Sequence, residues 1–66
     1  MIPLTKLDGQ VLWVNPHQLE TLEERPGTTS LHFLSGKLVV VQESALVVQE
    51  KILAYRRALG IFKNEE

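Results

Sequence analysis

The chain has 66 residues, seven basic and eight acidic side chains, a net charge of −1 and no cysteine. A chain of this length forms one domain whose core is only marginally stabilising. Without cysteine, neither disulfides nor thiolate metal sites can add stability. Oligomerisation is the remaining common means, so we expect a homo-oligomer. Balanced charge argues against a nucleic-acid surface, and no apolar run approaches the roughly 20 residues of a membrane span.

The first third of the chain predicts a hairpin. Residues 2–7 read as a strand, and Pro3 suggests an edge or a strand start because proline cannot donate to a ladder. Asp8-Gly9 predicts a two-residue turn into a second strand over residues 10–14. Trp13, the only tryptophan, is expected to be a core or interface anchor rather than a ligand platform.

Residues 17–25, after the break at Asn15-Pro16, allow two interpretations. Asn15 as an N-cap and Pro16 at the first helical position favour a short helix. Alternatively, a turn at Asn15-Pro16 is followed by a third strand, Leu19–Arg25, which leads into Pro26-Gly27. We favour one helical turn at 16–18 and then the strand, because the following strand needs an antiparallel partner.

The acidic and histidine residues do not predict a chemical site. Glu20, Glu23 and Glu24 do not converge at this spacing in a strand, so a solvated acidic edge is expected, although a contact site there stays open. His17 and His32 lack a metal-ligand spacing. We therefore expect no catalytic residue, no metal and no cofactor.

Two more strands and a helix complete the chain. Residues 28–34 alternate as a fourth strand, and Ser35-Gly36 predicts a tight turn into a fifth strand over 37–42, covered on both faces. Ser44 is a good N-cap and Gly60 a good C-terminal stop, which gives a helix over 45–59. One apolar stripe of this helix is expected to cover the sheet: Ala45, Val48, Ile52, Tyr55 and Leu59.

The helix carries more apolar surface than one small sheet requires. Leu46 and Leu53 lie on roughly the opposite side, and small residues form a third strip. Either these leucines are simply exposed, or they belong to a protein interface, which we favour. The predicted contact residues are Leu46, Glu50, Leu53, Ala54 and Arg57.

The expected fold is α+β, with a strongly bent, open barrel-like antiparallel sheet of five strands and one C-terminal helix. Residues 1–62 form a single domain, in which Ile61 and Phe62 fold back on the helix end, and residues 63–66 are a frayed tail. The N-terminus lacks a signal-peptide core, so a cytoplasmic location is expected.

The order and spacing of motifs resemble the FlbD/SwrD family of small flagellar proteins over residues 1 to about 58. The matching pieces are Met1-Ile2-x-Leu4-Thr5-Lys6-Leu7-x-Gly9, Asn15-Pro16-x-x-Leu19-Glu20-x-Leu22-Glu23-Glu24-x-Pro26-x-Thr28, Gly36-Lys37-x-x-Val40-Val41-x-Glu43-Ser44, Val48, Lys51-Ile52 and Tyr55-Arg56-Arg57. Pro3 and Gly27 depart from the usual family pattern. The resemblance implies a non-enzymatic role in swimming or swarming, supporting motor torque through a protein partner in the motor or stator.

Two other functions compete with this interpretation. RNA-binding regulators of the CsrA type begin similarly and combine five strands with a helix, but the likeness ends after Gly9 and the basic residues here are dispersed. Peripheral membrane attachment through the helix is the other alternative, although Glu50 offsets the charge of Lys51, Arg56 and Arg57.

Overall fold

The computed structural model describes residues 1–60. In chain order the elements are β1 Ile2–Thr5, β2 Val11–Val14, a 3-10 helix Pro16–Gln18, β3 Leu19–Arg25, β4 Thr28–Phe33, β5 Leu38–Val41 and α1 Ala45–Leu59. Five strands and one C-terminal helix were predicted, and this part of the fold is confirmed. The expected contact by Ile61 and Phe62 and the tail 63–66 lie outside the described residues.

The strands form two antiparallel sheets, β1-β2 and β3-β4-β5, so the prediction of one five-stranded sheet is wrong. The two sheets meet where β1 ends. A single bridge pairs Lys6 with Val41, and the Gln42 amide donates to the Thr5 carbonyl oxygen at 2.8 Å. The turn between β1 and β2 begins at Lys6, so the pairing of β1 with β5 stops at this bridge, and the strands within residues 1–60 do not close a barrel.

Two of the three hairpin turns are longer than the sequence predicted. The Lys6 amide donates to the Gln10 carbonyl at 2.8 Å, which makes residues 7–9 a three-residue loop and not a two-residue Asp8-Gly9 turn. Gly36 ends a loop of the same kind. Both glycines have positive φ, 91° and 92°, as the last position of a three-residue hairpin loop requires.

The favoured interpretation of residues 17–25, a single helical turn followed by a strand, is confirmed. Pro16–Gln18 forms the single helical turn, capped by the Asn15 side chain, which accepts from the His17 amide at 3.0 Å. β3 then pairs along β4, with an irregularity between Leu19 and Thr21. The three glutamates of β3 are exposed, in agreement with a solvated acidic edge.

The core lies between the two sheets and under α1. Its buried side chains are Ile2, Leu4, Val14, Leu31, Val41 and Val48. The prediction that β5 is covered on both faces is wrong, because only Val41 is buried and Leu38 remains 55% exposed. Among the described residues, the β1-β2 sheet meets β5 through the bridge between Lys6 and Val41, and Leu38 lies at the other end of that strand.

The helix begins and ends where the sequence predicted, and lies against β1 and β3. Val48 is fully buried, while Ala45, Ile52 and Tyr55 are partly covered. The last residue of the predicted stripe, Leu59, is 53% exposed, so its placement in the core is wrong within residues 1–60. β1 has only four residues, and a helix of 15 residues extends beyond it.

Candidate interaction surface and its support

The predicted contact residues lie on one side of α1, which we call the outer helix face: Leu46, Glu50, Leu53, Ala54 and Arg57. Their spacing of three and four residues aligns them along the helix. Leu46 is 63% exposed, and Glu50, Ala54 and Arg57 are exposed as well. Leu53 is partly covered, so the accessible apolar centre of this face is Leu46 with Ala54.

Glu43 fixes the start of the helix to both sheets. Its carboxylate accepts from the Thr5 amide at 2.9 Å and from the Thr5 hydroxyl at 2.8 Å, which attaches the residue before the N-cap to β1. Its backbone carbonyl accepts from the hydroxyl of the buried Thr29 at 2.7 Å. These bonds tie β1, β4 and the helix start together at one residue.

The electrostatics of Glu43 favour the ionised carboxylate. Partial burial alone would raise its pKa. The hydrogen bonds from the amide and hydroxyl of Thr5, its own backbone amide and the positive charge of Lys51 outweigh that effect, and its pKa lies below the ordinary value of 4.5. A charged acceptor makes each of these hydrogen bonds stronger than its neutral counterpart.

Further contacts hold α1 and the segment before it against the rest of the fold. The Lys51 ammonium donates to the Pro3 carbonyl at 2.8 Å, and the Tyr55 and His17 rings meet edge to face with centroids 5.6 Å apart. The Gln42 side chain donates to the Lys6 carbonyl at 2.8 Å. Sequence reasoning did not anticipate Glu43, Lys51 or Gln42 in these roles, because each bond joins residues at least 36 positions apart.

A second apolar surface lies on the β2 side of the molecule. The sequence allowed an interface at Trp13 but did not indicate the groove beside it. Two depressions of about 430 and 230 Å³ run between β2 and β5 and share Leu12, Lys37 and Val39. Trp13 lines one of them and is 60% exposed. The tryptophan is therefore not a core anchor of this subunit. The sequence could have indicated this surface, because β2 is apolar throughout and contains neither a charged residue nor a proline.

The titratable side chains of residues 1–60 are scattered over the surface of the fold. That part of the chain contains no group of three or more His, Asp or Glu side chains suited to hold a metal ion. Glu23 lies 3.3 Å from Arg25 and 3.7 Å from the His32 imidazole, and all three are well exposed. Such surface pairs contribute little to stability. Nor does the described region contain a helix with the length and apolar character needed to cross a bilayer.

The family comparison identifies what kind of protein carries this surface. The model of the FlbD family, described as flagellar and swarming motility proteins, matches residues 1–60. The chain belongs to this family. The FlbD/SwrD resemblance is thereby confirmed, and the protein is a flagellar and swarming motility protein. No curated protein and no solved structure matches the chain.

Proposed function

We propose that the protein supports flagellar motility without catalysis, by docking the outer helix face on a protein of the motor or stator and sustaining its torque. The site of action we propose is the cytoplasmic face of the motor. The observation that carries the proposal is the exposed Leu46 on a helix whose other side is anchored to the fold. Membership of the FlbD family supplies the flagellar context.

The composition of the outer helix face suits protein docking. Leu46 and Ala54 give an apolar centre, while Glu50 and Arg57 supply the polar groups that typically surround one. Burying an exposed leucine of this kind is worth about 1–2 kcal/mol, or roughly 5–30-fold in a dissociation constant. The helix is also well held, because Glu43 and Lys51 attach it to β1. A pre-organised face loses little conformational entropy on binding.

The test is complementation of a deletion strain. We expect the deletion to keep a normal number of flagella but to swim slowly in viscous medium and to swarm poorly. Leu46→Ser should reproduce that defect, because it removes the apolar centre without touching the core. The matched control is Leu34→Ser, which changes a leucine of similar exposure, 59%, in the β4–β5 loop and should restore torque.

Three measurements separate docking from other causes. Thermal unfolding of both purified variants should match the wild type, which excludes loss of fold. Flagellar staining should show unchanged filament numbers, which excludes an assembly defect. Stator proteins should co-purify with the wild type and with Leu34→Ser, but less with Leu46→Ser. A Leu46→Ser strain with normal tethered-cell torque would contradict the proposal.

A further inference from the structure

The free edge of β2 is a pairing surface that nothing in residues 1–60 covers. β2 is the end strand of a two-stranded sheet, with β1 on one side only. Its sequence is Val11-Leu12-Trp13-Val14, without the charge, proline or bulge that usually protects an exposed edge. Val11 and Trp13 are each 60% exposed on its outer face. An edge of this kind is a ready template for another strand.

The hydrogen bonds of β1 show which groups of β2 point to that edge. The Lys6 amide donates to Gln10, across the hairpin, whereas the amide and carbonyl of Thr5 are both engaged on the opposite side, with Glu43 and Gln42. Thr5 is opposite Val11 in the register. Because bonded and non-bonded pairs alternate in an antiparallel ladder, Val11 directs its N–H and C=O away from β1. Trp13, two residues on, does the same.

Related by a two-fold axis, the β2 edges of two copies are complementary to each other at these two residues. If the axis passes midway between the two Leu12 residues, Val11 of one copy lies opposite Trp13 of the other. Each of these two pairs then exchanges two backbone hydrogen bonds. About four inter-chain hydrogen bonds then form, and every outward backbone group of the two residues is used. The side chains pair as an aromatic against a β-branched residue on the same face, a favourable cross-strand combination.

We propose that the protein forms a symmetric dimer by antiparallel pairing of β2 with β2 of a second copy. Four exposed apolar side chains are available to such a dimer, each 55–60% exposed: Val11 and Trp13 on β2, and Leu7 and Leu38, which line the adjoining depression with Leu12. At about 100 Å² apiece they represent roughly 800 Å² over two copies, before the strand backbones are counted. The total approaches the ~1,000 Å² of a small specific interface, so a reversible dimer with micromolar affinity is expected.

This dimer is separate from the docking face proposed for α1. It uses β2 and the groove beside it, so the outer helix face of each copy stays accessible to a partner. The inference therefore goes beyond the motility function and does not depend on it. A two-fold pairing is also the usual form of a homodimer interface, in which the same patch serves both subunits.

Sedimentation equilibrium and Trp13 fluorescence of the full chain test the proposal. Trp13 is the only tryptophan, so its emission reports this surface alone. We expect the apparent mass to double as concentration rises from micromolar to millimolar, with a parallel shift of the emission to shorter wavelength. A monomer over that whole range would overturn the proposal, and so would a dimer whose emission stays at the monomer wavelength.

Variants identify the pairing edge. Val11→Pro removes the outward N–H without breaking a bond to β1, and should leave a folded monomer. The matched control is Leu46→Lys, which adds charge at a similarly exposed residue of the helix and should still dimerise. If Val11→Pro does not fold, Trp13→Pro replaces it, because it removes the other outward N–H and also breaks no bond to β1. A dimer that persists in either folded proline variant overturns the proposal.

Amide hydrogen exchange of the wild-type protein gives a readout that needs no variant. In a β2-paired dimer the amides of Val11 and Trp13 become protected as concentration rises. The Leu12 amide, which points to β1, is protected in both states. Concentration-independent exchange at Val11 and Trp13 in a sample that dimerises would assign the interface to another surface.

Discussion

Replacement of Glu43 by glutamine tests the main polar connection of the fold. A glutamine retains one oxygen, which can accept from the Thr5 amide, but its –NH₂ group cannot accept from the Thr5 hydroxyl. Hydrogen bonds to a charged group contribute about 1.5–3 kcal/mol, and partial exposure of this carboxylate reduces that value. We expect Glu43→Gln to lower the free energy of unfolding by about 1–2 kcal/mol. For a domain of this size the melting temperature falls by roughly 4–15 °C.

The same substitution has a pH signature. The pKa of Glu43 is lower in the folded protein than the ordinary value of 4.5. A depressed carboxylate pKa means that the unfolded chain binds the proton more tightly, so the contribution of Glu43 to stability is complete above the unfolded pKa. It is lost as pH falls from about 4.5 through the folded pKa. The stability difference between wild type and Glu43→Gln should therefore be constant near neutrality and shrink in acid.

The assay is urea unfolding followed by far-ultraviolet circular dichroism at one fixed protein concentration, since self-association adds to apparent stability. The matched control is Glu50→Gln, which makes the same chemical change at an exposed helix position and should alter stability by less than about 0.5 kcal/mol. The reasoning is refuted if the two variants are equally stable at pH 7, or if the loss in Glu43→Gln is unchanged in acid.

Two further substitutions test the core and a hairpin loop. Val48→Ala should cost about 2–3 kcal/mol in urea unfolding, because Val48 is fully buried and its loss leaves a cavity between α1 and the sheets; a cost below 1 kcal/mol would show that α1 packs differently. Gly36→Ala should cost about 1–2 kcal/mol through backbone strain alone, because φ is 92° and an added Cβ meets no atom within 4 Å. Gly36→Asn should lose less, since asparagine tolerates the left-handed region, and equal losses would contradict the strain argument.

The elements that could be predicted from the sequence are those with strong local signals. Ser44 and Gly60 bound the helix because capping depends on the residues within a turn of each end. The turn at Pro16–Gln18 followed by a strand was also favoured correctly. Hairpin loop length was missed because a Gly in left-handed conformation serves both two- and three-residue loops. Only the pairing of Lys6 with Gln10 decides between them.

The division into two sheets and the exposed β2 edge depend on long-range contacts that periodicity does not encode. β1 is flanked by β2 along its length and by β5 only at Lys6, and no local pattern fixes where one ladder ends. The apolar run of β5 indicated burial on both faces, yet only Val41 is buried. The sequence does not distinguish an apolar side chain that is buried within its own subunit from one that is covered by another protein. The location of Trp13 at an edge therefore came only from the fold.

The two proposed surfaces make a joint prediction for cells. A dimer paired through β2 carries two outer helix faces, so a stator assembly with several binding positions would hold both at once. Linked binding of this kind raises overall affinity by ~10²–10⁴-fold where the geometry permits both contacts. Val11→Pro should then weaken torque in viscous medium although each subunit keeps Leu46, and the defect should diminish when the variant is overproduced. Leu46→Ser weakens the contact itself, so overproduction should offset its defect too, and the two variants are distinguished by solution mass: Val11→Pro is a monomer and Leu46→Ser remains a dimer. Normal torque of Val11→Pro at its natural expression level would contradict linked binding through β2.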